Sequence, residues 1–314
     1  MIEWLGRGRS KPLGVQDLAP LDALELGTRP RALASAMPDL MVEAKNLAAS
    51  LIAGLHGRKR AGLGHSFWQF RQYGASDASS RIDWRRSARG ETLFVREMEW
   101  ESAHTVRFSV DMSSSMRFAS PDAREPKRDR GVIMALALAA MLTKGGERVG
   151  MIGGERPKTG EAALSIMAQE LMRRDTDKSG KHRWADMTAV KPREDVIILS
   201  DFLFGEAERT KLFGQLVSRG ARAHFIQIID PVEEAFPFKG RMRFDPLSRH
   251  DSAILSGRAE NWREPYQELF QGLKDRMRRI ARSHGWSHTI SHTDRPAATP
   301  LLSVHEALSR SKER

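Results

Sequence analysis

Apolar residues in this chain switch between two spacings, and each switch marks a new element. Leu40, Ala44, Leu47, Ala48, Leu51 and Leu55 recur at steps of three and four, the stripe of an amphipathic helix. Pro38 and Asp39 suit its start, and Gly57 suits its end. Before it, Met1 to Ala36 mixes Gly, Pro and Arg with short leucine-containing pieces and reads as a loosely packed arm. From His104 the period drops to two: Val106, Phe108 and Val110 share one face of a strand that ends at Asp111. Pro121 to Asp129 is polar and reads as a loop. Val132 to Leu142 is apolar on every face, which predicts a fully buried helix closed by Gly145 and Gly146.

The alternation then continues. Arg148 to Ile152 reads as a strand, and Ala162 to Arg173 as a helix with Leu164, Met167, Ala168 and Leu171 on one side. Val196 to Leu199 is a strand buried on both faces, as in a parallel sheet, and it ends at Ser200 and Asp201. A helix from Glu206 to Ser218, capped by Gly220, leads into the strand His224 to Ile229, which ends at Asp230 and Pro231. Gly240 to Phe244 and Ser252 to Leu255 read as a hairpin at the sheet edge. Pro265 to His284 follows as a long basic helix, Trp286 to Ile290 as a last strand and Pro300 to Leu308 as a closing helix. Strands alternating with helices predict an α/β fold with a doubly wound, mostly parallel sheet. The chain divides into an arm (1–36), a helix plus a small antiparallel lobe (37–103) and the α/β domain (104–310).

Composition narrows the partners more than the fold. The 314 residues include 51 Lys and Arg against 40 Asp and Glu, a formal charge of +11. That excess favours polyanions or an acidic partner surface, and a solvated arginine-rich surface is the plainer account of it. No cysteine is present, which excludes disulfides, thiolate zinc sites and cysteine nucleophiles. Glu3, Arg7 and Arg9 interrupt Met1 to Lys11, so that stretch does not read as a signal peptide. Val132 to Leu142, the longest apolar run, falls short of the roughly 20 residues a membrane helix needs. The expectation is a cytoplasmic protein without membrane insertion.

Arg58 to Glu101 crowds Arg58, Lys59, Arg60, Arg71, Arg81, Arg85, Arg86, Arg89 and Arg96 among Phe67, Trp68, Phe70, Tyr73 and Trp84. Guanidinium groups interleaved with rings suit a nucleic-acid platform. The competing reading pairs those bases internally with Asp77, Asp83, Glu91, Glu97, Glu99 and Glu101 in the small lobe. The acids favour the second reading, because they would repel a phosphate backbone.

The chemistry gathers at Ser109 to Met116. Asp111, Ser113 and Ser115 place one carboxylate and two hydroxyls on a tight loop where an apolar strand ends. Hard oxygens suit a hard cation. Ligands of an open parallel sheet sit beyond the carboxyl ends of its strands, where strand order reverses, and Asp201 ends another such strand. It can approach the same place directly or through water. These oxygens alone leave an octahedral Mg²⁺ shell incomplete, so waters or an incoming carboxylate finish it.

Asp111-Met112-Ser113-Ser114-Ser115 resembles the DxSxS signature of the metal-ion-dependent adhesion site (MIDAS) of von Willebrand factor A domains, and Asp201 matches that site's later aspartate. The family also uses a threonine, for which Thr159 is the candidate, ahead of Thr143, Thr176 and Thr188. The lobe carries a second resemblance. Phe67, Arg71, Tyr73, Asp77, Arg81-Ile82-Asp83-Trp84, Ser87-Ala88-Arg89 and Val95-Arg96-Glu97 are similar to the signature of the bacterial domain-of-unknown-function family 58 (DUF58), with Ser76-Asp77-Ala78 in place of its usual Gly-Asp-Asp turn. Asp230-Pro231-Val232-Glu233-Glu234 and Thr293-Asp294 also fit, so the similarity covers about Met37 to Arg310. It implies a von Willebrand A-like, Rossmann-like domain holding Mg²⁺, or Mn²⁺ or Ca²⁺, through Asp111, Ser113, Ser115, Thr159 and Asp201. It further implies a non-enzymatic adaptor or assembly factor that works with a MoxR-type AAA ATPase and binds a protein partner's Asp or Glu through the metal.

Other chemistries lack a required residue. Gly153 to Thr159 has Pro157 where a phosphate loop needs glycine before Lys158, and Ser113 stands where a phosphotransferase would carry a second carboxylate. No Gly-x-Ser-x-Gly elbow occurs, and His288 and His292 flank a strand rather than sharing a helix face. A metal-dependent hydrolase stays as an alternative, because bound metal activates water, but no general base stands beside Asp111 in the sequence.

Overall fold

The computed structural model describes residues 33–57, 67–74, 77, 79–88, 90, 92–98, 104–176, 187–244 and 254–312. Its elements are α1 (Leu33–Gly57), β1 (Phe67–Gln72), α2 (Trp84–Ser87), β2 (Phe94–Met98), β3 (Thr105–Val110), α3 (Lys127–Lys144), β4 (Arg148–Met151), α4 (Gly160–Thr176), β5 (Asp195–Ser200), α5 (Glu206–Ser218), β6 (Arg222–Ile229), α6 (Pro231–Ala235), β7 (Met242–Phe244), β8 (Ile254–Ser256), α7 (Arg263–Ser283), β9 (Ser287–His292) and α8 (Ala298–Lys312). Contacts group these into two units. One runs from Thr105 onward and takes in α1 as far as Leu51, and the other spans Ile52–His104.

α1 starts six residues before the Asp39 expected from its apolar stripe, and Pro38 lies inside it. Proline there removes one backbone hydrogen bond. The stripe outweighs that loss, because Leu33, Ala36 and Met37 extend the buried row of Leu40, Ala44, Ala48 and Leu51. The rest of the expected arm, residues 1–32, lies outside the described residues.

The main sheet is wholly parallel, in the order β4-β3-β5-β6-β9. After β3 the chain first adds β4 on one side and then β5 on the other, so strand order reverses between β3 and β5. Both of these strands are buried along their full length; β5 accordingly reads as a near-continuous apolar run, while β3 alternates, with Thr105, Arg107 and Ser109 on its other face. Phe225 of β6 packs with Leu212 and Leu216 of α5 and Met277 and Ala281 of α7. Ile228, on the opposite pleat of the same strand, faces α3, which packs against α4 and α8. The sheet is therefore covered on both faces, a doubly wound arrangement.

Close seating of α3 depends on Gly131. A Cβ at that position would lie 3.1 Å from Val110 Cγ1 and 3.2 Å from Ile228 Cδ1. The helix is buried from Lys127 to Leu142, and its first four residues are Lys127, Arg128, Asp129 and Arg130. The sequence pattern assigned Lys127 to Asp129 to a polar loop. Tertiary pairing of the charges, described below, makes them helical and buried instead.

β7 and β8 form an antiparallel pair of their own and do not extend the main sheet, which corrects the expected edge hairpin. In the smaller unit, β1 and β2 pair antiparallel, and Ile82 bridges to Val95.

Candidate functional site

The reversal of strand order brings Asp111 and Asp201 to one place. Asp111 follows β3 and its N–H donates to Leu199 O of β5 at 2.9 Å. Its carboxylate accepts on both sides: Oδ1 from the Ser113 N–H at 2.8 Å, and Oδ2 from the Ser200 hydroxyl at 2.7 Å. The loop then turns so that Ser113 Oγ lies 3.0 Å from Ser115 Oγ. Asp111 is fully buried, and burial followed by the nearby Asp201 charge pushes its carboxyl up to about 6 against the pull of the Ser113 and Ser200 hydrogen bonds.

Asp201 is aimed by a strained turn. Phe202 has φ of 58°, the left-handed region that costs a side-chain-bearing residue about 1 kcal/mol. Three contacts hold it there. Ser200 Oγ accepts the Phe202 N–H at 2.9 Å, Asp201 Oδ1 accepts the Leu203 N–H at 2.9 Å, and the Gln227 amide donates to Asp201 O at 3.2 Å. Asp201 Oδ2 accepts from the Lys127 ammonium at 2.9 Å. Burial works to raise Asp201, but the Lys127 charge and hydrogen bond hold it below the ordinary carboxylate range.

Lys127 and Glu233 complete the cluster; Glu233 belongs to the Asp230–Glu234 segment of the family resemblance, and neither residue is among the expected ligands. The lysine is wholly buried and also donates to Glu233 Oε1 at 2.5 Å. Burial favours the neutral amine, yet the two carboxylates push Lys127 up, so it stays an ammonium. Glu233 is fixed by a capping box at the start of α6, where its Oε2 accepts the Asp230 N–H at 3.1 Å and Asp230 Oδ1 accepts the Val232 N–H at 3.0 Å. Burial lifts Glu233 to about 7 despite Lys127. Asp-x-x-Glu before a helix was a readable signal for that cap. The ammonium partner had none, since its charged neighbours read as solvated loop.

Thr159 is not brought to this cluster. Lys158 pairs backbone-to-backbone with Val149, at 2.8 and 3.0 Å, and runs antiparallel to β4. Thr159 is therefore level with the start of β4, which is in register with the start of β3, and it is exposed. Asp111 lies beyond the other end of β3, roughly 15–20 Å away at about 3.3 Å per residue.

A divalent cation fits the remaining donors. Cis ligands of Mg²⁺ stand about 3 Å apart when each is about 2.1 Å from the ion, and the two serine oxygens have that separation. Asp111 supplies charge beside them. Asp201 already pairs with the Lys127 ammonium, whereas the Asp111 oxygens accept only from neutral donors, so the Asp201 contribution would pass through water. Among the described residues no three His, Cys, Asp or Glu side chains converge as a metal cluster, so such a site would depend on its hydroxyls.

Two arginines of the smaller unit, Arg71 and Arg86, have partners within it. Arg71 makes two bonds to Asp77, of 2.8 and 2.9 Å, while the Asp77 carboxylate also takes the Gly74 N–H at 2.8 Å. Arg86 lies over the Phe70 and Phe94 rings, 5.4 and 5.7 Å from their centroids. Arg58, Lys59, Arg60 and Arg89 of the basic stretch lie outside the described residues.

Fold and cluster together define a doubly wound α/β protein with its polar residues gathered at the switch point. The chain belongs to the family described as "Protein of unknown function DUF58", whose profile matches residues 69–275, about two thirds of its length. Among solved structures it is similar to the conserved hypothetical protein BatB from Bacteroides thetaiotaomicron, at 13% identity over 68% of this chain and 100% of that one, with a TM-score of 0.40. An aerotolerance-related membrane protein from Bacteroides fragilis matches at 14% identity over 66% of this chain and 100% of its own, with a TM-score of 0.39. No curated protein matches the sequence. Among the described residues no helix is long and apolar enough to cross a membrane.

Proposed function

We propose that the chain is a cation-dependent protein-binding module. The observation that carries this reading is Asp111, a buried carboxylate whose partners are hydrogen-bond donors while the ammonium nearby serves Asp201 and Glu233. A divalent cation beside Ser113 and Ser115 would supply the missing positive charge. Asp111, Ser113 and Ser115 would hold Mg²⁺, with Asp201 contributing through water, and the bound ion would supply the positive charge that an Asp or Glu of the partner seeks. Mn²⁺ or Ca²⁺ can substitute where the loop tolerates longer bonds. The resemblance to MoxR-associated adaptors points to an AAA ATPase of that type as one partner.

Non-enzymatic binding is favoured over metal-dependent hydrolysis by the state of the neighbouring carboxylates. Asp201 is committed to Lys127 and the Leu203 N–H, and Glu233 to Lys127 and its own helix cap, so neither is placed as a base for a metal-bound water. The test is retention of a MoxR-type AAA ATPase from the same organism on immobilised protein, in Mg²⁺ and in EDTA. Retention in Mg²⁺ that Asp111→Ala abolishes supports the reading. Equal retention in EDTA overturns it.

A further inference from the structure

At the opposite end of the same sheet, three side chains unused by the cation site form a hydrogen-bonded series. Asp195 opens β5, His224 lies near the start of β6, and Ser287 opens β9. Parallel register sets Asp195 beside Arg222 and His224 beside Ser287, so these side chains rise from one face. His224 Nε2 is 3.2 Å from Asp195 Oδ1, and His224 Nδ1 is 2.8 Å from Ser287 Oγ. A carboxylate only accepts hydrogen bonds, so Nε2 carries the imidazole proton. Nδ1 then faces the serine hydroxyl as a bare acceptor, the position of a general base.

The surroundings fix this series and give it access. The Ser311 hydroxyl donates to Asp195 Oδ1 at 2.9 Å, and the Arg222 guanidinium forms an ion pair with the carboxylate, its Nη2 donating to Oδ2 at 3.3 Å. Asp195 and His224 are buried, while Ser287 is half-buried. His224 and Ser287 line a cavity of about 400 Å³ together with Trp286, His284 and Arg310. That volume suits a small ligand. Trp286 provides an apolar wall and Arg310 a cation.

We propose that Ser287, His224 and Asp195 act as nucleophile, base and anchor in the cleavage of short-chain acyl esters bound in this cavity. Ser287 Oγ adds to the ester carbonyl carbon as its proton passes to His224 Nδ1. Negative charge on the carbonyl oxygen is met by the Arg310 guanidinium. Collapse breaks the bond to the alkoxide, which leaves with the proton from His224. Water then cleaves the acyl-serine through the same two proton transfers, releasing a carboxylic acid and restoring Ser287. The constellation is defined by geometry, so the missing Gly-x-Ser-x-Gly elbow does not bear on it.

The same bonds would exist if they served only to pin α8 to the sheet, and a fluorophosphonate probe separates the two roles. An activated serine is phosphonylated, whereas a serine that is merely hydrogen-bonded is not. On the full chain in EDTA, peptide mass spectrometry is expected to place the label at Ser287. Ser287→Ala should lose labelling, and hydrolysis of umbelliferyl acetate should fall at least about 100-fold with the melting temperature unchanged. Ser309→Ala, an exposed serine on α8, should keep both. Folded wild-type protein that takes no label, or takes it elsewhere, overturns the proposal. Because the assay runs without divalent cation, its outcome is independent of the cation site.

Discussion

The ammonium of Lys127 and the carboxylate of Asp201 form an ion pair 2.9 Å long between the start of α3 and the end of β5, with 0% and 2% of the two side chains exposed. With Glu233 on the same ammonium, this pair ties α3, β5 and α6 together beneath the Asp111 loop. Removing the lysine strands two buried carboxylates. Lys127→Met should lower stability by about 3–5 kcal/mol in urea unfolding, since an uncompensated buried charge costs far more than an exposed one. A loss under about 1 kcal/mol would mean that the pair is solvated.

Asp111 should set a pH dependence of definite sign. Its folded carboxyl titrates at about 6, and the unfolded chain near the ordinary value of about 4. Between those limits the folded state holds a proton that the unfolded state releases. The stabilisation is full below pH about 4 and is lost as pH rises through about 6. In metal-free buffer Asp111→Asn should therefore gain on wild type across that window, by about 2–3 kcal/mol at pH 7. Urea midpoints measured from pH 4 to 7 decide it, and parallel curves for the two proteins would contradict it.

Gly131 should resist enlargement. A valine there would press on Val110 and Ile228, where a single Cβ already comes within 3.1–3.2 Å. Gly131→Val is expected to cost about 1–3 kcal/mol through overpacking, read by chemical denaturation. No change would show that α3 can shift away from the sheet.

In the smaller unit, Asp77→Ala removes both Arg71 bonds and the acceptor of the Gly74 N–H. The expected loss is local, about 1–2 kcal/mol. Amide exchange should quicken at Arg71–Gly74 while β3 and β5 stay protected. Uniform quickening throughout the chain would contradict this.

Period and run length made most of the sheet readable. β3 shows the period of two and β5 the continuous apolar run of a strand covered on both faces, and Asp111 and Asp201 stand out as the first carboxylates beyond them. What escaped depends on partners distant in sequence. Lys127 to Asp129 read as polar loop because nothing local shows that Asp201, Glu233 and Asp175 lie within reach of Lys127 and Arg128. Thr159 is a candidate only through the resemblance, and its position just before a helix does not reveal that the chain folds Lys158 back along Val149. Asp195, His224 and Ser287 are united only by register across three strands.

Binding through the Asp111 loop requires a divalent cation there, and calorimetric titration of Mg²⁺ into the intact protein tests that requirement. Wild type should bind one ion, with stability rising by about 2.7 kcal/mol when Mg²⁺ is 100-fold above its Kd. Asp111→Asn should show neither heat nor stabilisation. Absence of binding to wild type, or equal binding by Asp111→Asn, would contradict a cation site at this loop.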